Sequence, residues 1–79
     1  MNGVRLTIPC ERFNAFSGDI ARLNKRTQQV NRERKKHLFK RITRYPTGSH
    51  DGLVSIAIDI KDRRQVLWQE LTGILEKYR

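Results

Sequence analysis

Hydrophobic and polar positions change their period several times along the chain, and each change predicts an element. Val4, Leu6 and Ile8 alternate with Arg5 and Thr7. That is the period of a half-buried strand, and Pro9 ends it because proline has no N–H to give a ladder. From Phe13 the spacing lengthens: Phe13, Phe16, Ile20, Leu23, Thr27 and Val30 recur every three or four residues, the apolar stripe of a long amphipathic helix. Pro9 and Glu11 suit its first turn. A start near Asp19, with Ser17 as the cap, is the competing boundary. The stripe fails at Arg34, so burial of this helix is expected to end near Glu33.

Residues 37–45 carry two patterns at once. Leu38, Ile42 and Tyr45 share a helical face, whereas Phe39, Thr43 and Tyr45 share one side of a strand. The β-branched and aromatic content, followed by the turn-rich PTGSHDG, favours a strand and places the turn across residues 46–52. Farther on, Val54, Ile56, Ile58 and Ile60 alternate with Leu53, Ser55, Ala57 and Asp59. The second set is only mildly polar, as expected of an inner strand. A last helix, capped by Asp59 or Asp62, turns Leu67, Leu71, Ile74, Leu75 and Tyr78 inward with Val66 at the margin.

These elements predict an α+β fold: one small domain over residues 1–79 in the order β-α-β-β-α. Strands two and three form a hairpin, strand one joins through the long helix, and both helices cover one face of a three-stranded sheet. The expected core is Val4, Leu6, Ile8, Phe13, Phe16, Ile20, Leu23, Val30, Val54, Ile56, Ile58, Leu67, Leu71, Ile74 and Leu75. No apolar run approaches the ~18 residues of a membrane span, so no membrane partner is expected. The single cysteine, Cys10, suits a reducing cytoplasm. A chain of 79 residues without staples is close to the lower limit for a core, which leaves a homodimer open.

Charge changes the picture most. Ten basic residues stand between Arg22 and Arg44, and Glu33 is the one acid among them. This segment therefore carries a net +9, equal to the formal charge of the whole protein. On a helical wheel Arg22, Lys25, Arg26, Arg32 and Lys36 face away from the apolar stripe as one band. A solvated helix surface normally mixes both signs. A band of one sign points instead to a polyanion, of which nucleic acid is the commonest.

The residues expected to touch RNA or DNA phosphates are Arg22, Lys25, Arg26, Arg32, Lys35, Lys36, Lys40, Arg41 and Arg44, with Gln29 and Asn31 as base or sugar contacts. Phe39 and Tyr45 are the aromatics interleaved with the charge, and sheet packing accounts for them equally well. An alternative is a binding protein: a small inhibitor or adaptor, of the phage-encoded, anti-CRISPR-like kind by size alone, that docks its basic face on an acidic protein or nucleoprotein complex. A second alternative is a metal-independent ribonuclease toxin with His50 as general acid or base beside Arg44 and Tyr45.

Other chemistry is poorly supplied. Ser49, His50 and Asp51 are consecutive, and a triad needs its base between nucleophile and carboxylate in space. Cys10, His37 and His50 lack the short spacing of metal ligands, and the scattered glycines make no phosphate loop. No catalytic residue, cofactor or metal is expected.

Overall fold

The computed structural model describes residues 3–35 and 38–79. Its elements are β1 (Gly3–Pro9), α1 (Phe13–Arg34), β2 (Thr43–His50), β3 (Leu53–Asp59) and α2 (Trp68–Tyr78), in the β-α-β-β-α order that the periodicities predict. The sheet is antiparallel with strand order β1-β3-β2. β3 is thus the inner strand, and both edges belong to strands that flank α1.

One face of the sheet is buried. Leu6 and Ile8 from β1 and Val54, Ile56 and Ile58 from β3 meet Phe16, Ile20 and Leu23 of α1 and Leu71, Leu75 and Tyr78 of α2. Burying side chains of this size contributes about 1.5–3 kcal/mol each. Tyr78 and three further members of this cluster, Ile42, Ile60 and Val66, lie outside the expected core list. Val4, Phe13, Leu67 and Ile74 pack only partly, and Val30 stays half-buried outside the cluster. β2 adds no apolar side chain to this face; its half-buried residue is Arg44.

Several expected boundaries are corrected. α1 begins at Phe13 as a direct continuation of a 3-10 turn at Cys10–Arg12, so Ser17 lies inside the helix and caps nothing. Residues 38–42 are irregular, and the strand expected over 37–45 runs instead over Thr43–His50. The turn shrinks accordingly from seven residues to Asp51 and Gly52, both at positive φ (53° and 77°). That geometry matches a two-residue primed hairpin turn, whose twist agrees with that of the strands it joins. Pro46 fits because β2 is an edge strand and the register shifts between Pro46 and Gly48, a bulge that leaves Thr47 unpaired.

Asp62 caps the 3-10 turn Arg63–Gln65, not α2, which starts at Trp68. The Arg64 N–H bonds Asp62 at 2.9 Å, and with the Arg64 guanidinium it holds this carboxyl below its ordinary pKa. Lys36 and His37, the one a predicted phosphate contact and the other a weighed metal ligand, lie outside the described residues. Among the described residues no helix is long and apolar enough to cross a membrane.

A methyl group at Gly52 would meet no atom within 4 Å, so the cost of Gly52→Ala is that of the backbone conformation alone. We expect this variant to lose about 1 kcal/mol and to melt about 4–8 °C lower. Thermal unfolding followed by circular dichroism tests this.

Candidate nucleic-acid interface

The basic band divides into two flanks of α1 with different electrostatics. On the flank facing α2, Arg22 and Arg26 each have a carboxylate. Asp19 is buried and receives the Tyr78 hydroxyl at 2.6 Å, Lys77 Nζ at 3.1 Å and the Arg22 guanidinium. Burying this carboxylate alone would be costly, and two cations with a phenol offset the loss of water. One turn along, Arg26 Nε lies 3.5 Å from Glu70, a half-exposed pair worth at most ~1 kcal/mol. Phe16 and Tyr78 meet edge to face at 5.4 Å beneath, and the Arg12 guanidinium stacks on the Tyr78 ring. Arg22 and Arg26, both expected on a free anionic interface, are thus partnered within the protein, Arg22 inside α1 and Arg26 across to α2.

The opposite flank has cations and no acids. Ala21, Lys25, Gln28 and Arg32 follow one another along α1 at four, three and four residues, one ridge of the helix surface. Across from that ridge runs the irregular segment 38–42, and between them lies a groove lined by Lys25, Gln28, Phe39, Arg41 and Arg44. Its volume of about 390 Å³ is at the small end for ligand pockets. Among the described residues no carboxylate comes within 4 Å of a basic nitrogen of Lys25, Arg32, Arg41 or Arg44. Among the described residues Arg44 reaches only the Ser17 carbonyl, at 3.5 Å, and its buried Nε finds no acceptor there. A half-sequestered guanidinium with spare donors favours an anion more strongly than a fully hydrated one.

Two asparagines build the groove. Residues 38–42 have no ladder to satisfy their backbone, and α1 supplies the missing partners. Asn24 donates Nδ2–H to the Ile42 carbonyl at 3.0 Å and accepts the Ile42 N–H at 2.7 Å. Asn31, seven residues and two turns later, donates to the Phe39 carbonyl at 2.8 Å and accepts the Phe39 N–H at 3.0 Å. An amide side chain can do this because it carries donor and acceptor side by side, as a strand backbone does. Ile42 then drops into the core, only 1% exposed, Arg44, two residues on, lines the groove, and Arg41 stands between the groove and a second pocket.

Asn31 is therefore not the free base or sugar contact that the sequence suggests, because its amide is spent on the chain's own backbone. Gln29 is exposed on the outer side of α1, and Gln28 lines the groove instead. Lys35 is an exposed left-handed residue at the end of α1 (φ 55°), where its N–H bonds Arg32 and Asn31 carbonyls. Lys40 does not line the groove; with Arg41 it borders a second pocket that Asp59 and Asp62 also line, and its N–H bonds the Gln65 carbonyl at 2.6 Å.

The residues weighed for ribonuclease chemistry do not converge. Arg44 and Tyr45 are successive in β2 and project to opposite faces of the sheet. His50 lies five residues from Tyr45 at the hairpin tip, exposed and 3.1 Å from Asp51. Cys10 is an exposed free thiol.

No family model, curated protein or solved structure matches this chain. The groove must be read on its own chemistry.

Each asparagine clamp holds two hydrogen bonds worth about 1 kcal/mol apiece. We expect Asn24→Ala to cost about 2 kcal/mol, because it also strands the Ile42 N–H beside the core. The same loss in Asn24→Asp would show that donor and acceptor are both needed. Urea denaturation of the three proteins measures this.

Proposed function

We propose that this protein binds nucleic acid through its phosphates, in the groove between the Ala21–Arg32 ridge of α1 and the segment 38–44. One observation carries the reading: Lys25, Arg41 and Arg44 line a single groove with no carboxylate among its lining residues, while the carboxylates paired to α1 cations stand on the other flank. Concentrated positive charge costs a small fold self-repulsion, which a polyanion relieves. The guanidiniums of Arg41 and Arg44 can grip phosphate oxygens with two parallel N–H bonds, whereas Lys25 acts as a point charge. Gln28 adds a neutral donor and acceptor at the same depth. Contacts of this type position a backbone and carry little sequence information, so binding is of low sequence specificity.

Fluorescence anisotropy with labelled single-stranded RNA, duplex RNA and duplex DNA over a salt series tests this. For a single strand engaging three phosphates, the log–log slope should be about −2. Lys25→Glu and Arg41→Glu, both at exposed positions, should each weaken binding about fivefold or more. Arg79→Glu makes the same charge change at the end of α2 and should alter affinity less than about twofold. Equal effects from all three variants would mean that net charge alone is at work. Absence of binding to any of the three ligands would overturn the proposal.

A further inference from the structure

The sheet has a second face, opposite the helices, and the groove does not use it. β3 contributes Leu53, Ser55, Ala57 and Asp59 to that face, and the register sets Arg5 of β1 and Tyr45 of β2 on either side of Ala57. Neighbouring strands lie about 4.8 Å apart, so the two side chains rise about 10 Å from one another with only a methyl group between them. A stacked base takes about 3.4 Å on each side, roughly 7 Å between its two walls, and side-chain lean closes the difference. One row along, the Thr7 and Ser55 hydroxyl oxygens are 3.4 Å apart and supply donors and acceptors at base-edge height.

Neither wall has another task. Tyr45 is 47% exposed. Among the described residues it makes no ring contact or side-chain hydrogen bond, and Arg5 makes no ion pair or stacking contact. A phenol on one edge strand of an open sheet face, with a guanidinium on the other edge strand across a small floor, is a pair of π-faces without a guest. We propose that Tyr45 and Arg5 hold one unpaired base of a single-stranded nucleic acid whose phosphates lie in the groove. This rests on the nucleic-acid reading above and narrows its ligand to a single strand.

Continuity supports that occupant. β2 is a free edge of the sheet, with Arg44 on the groove side and the next residue, Tyr45, on the open side. A flexible strand can wrap this edge, its phosphates on Arg41 and Arg44 and a base turned over onto Tyr45. A duplex must first break a pair to offer one. A second copy of the chain is the poorer occupant: it brings a like charge of +9, and the centre of the face is Thr7, Ser55 and Ala57, not a large apolar patch.

The test uses single strands of about ten nucleotides carrying 2-aminopurine, with the matching duplexes beside them, and wild type, Tyr45→Leu and Tyr45→Phe. Wild type and Tyr45→Phe should quench the 2-aminopurine on binding. Tyr45→Leu should lose the quench and weaken single-strand affinity about fivefold or more while leaving duplex affinity within about twofold. An unchanged quench and affinity in Tyr45→Leu, with Arg41→Glu still releasing the strand, would sink the base slot and leave the groove standing. If wild type binds no strand, the groove reading fails and the slot with it. A concentration-dependent dimer in sedimentation velocity that Tyr45→Leu dissociates would assign the face to a second copy and overturn the proposal.

Discussion

An irregular segment packed against a fold has to place its backbone N–H and C=O groups somewhere, and here that constraint shapes the molecule. Residues 38–42 return from the end of α1 to the sheet edge without forming a ladder. Asn24 and Asn31 act as two rungs of a substitute ladder, each bonding one backbone residue on both sides. The consequences spread outward. Ile42 is seated in the core, β2 enters the sheet with Arg44 turned to the helix, and a narrow channel is left beside α1. A backbone requirement thereby fixes where the charges stand.

The charges themselves are sorted by depth. Asp19 is the buried carboxylate of α1, and its three donors come from α1 and from the end of α2. Because Asp19 and Glu70 offset most of the charge of Arg22, Arg26 and Lys77, the α2 flank serves as a helix–helix seam. The other flank keeps its full charge. A band that is uniform in the sequence is divided in space by two acids, one in α1 and one in α2.

Periodicity reveals the elements here because one sheet face and one stripe of each helix are buried, so alternation and the three-four spacing survive in Val4–Ile8, Phe13–Val30 and Val54–Ile58. It fails where tertiary partners replace local pattern. Nothing near Ile42 in the sequence announces that an asparagine 18 residues away will take over its backbone bonds. The i, i+7 spacing of Asn24 and Asn31 on the apolar side of α1 was the one available signal. The hairpin turn was legible in principle, since Asp-Gly is a strong two-residue turn. Pro46 and Gly48 obscured it by resembling turn residues while occupying a bulged edge strand. The division of the basic band was not legible, because Glu70 meets Arg26 only through folding.

The strand order has a consequence in time. β1 precedes the other two strands, yet among the described residues it pairs with β3 alone, with Gly3 opposite Asp59 and Pro9 opposite Leu53. The β2–β3 hairpin closes over two residues and can form early, whereas joining β1 requires closure across more than half the chain, a slow step for so small a fold. As synthesis proceeds, Leu6 and Ile8 must wait for most of the polypeptide before they acquire a partner. Any ribosome-bound product that stops before Leu53 has an N-terminal strand and a highly basic helix but no sheet. The sheet is therefore assembled around its last strand, and everything upstream is provisional until that strand arrives.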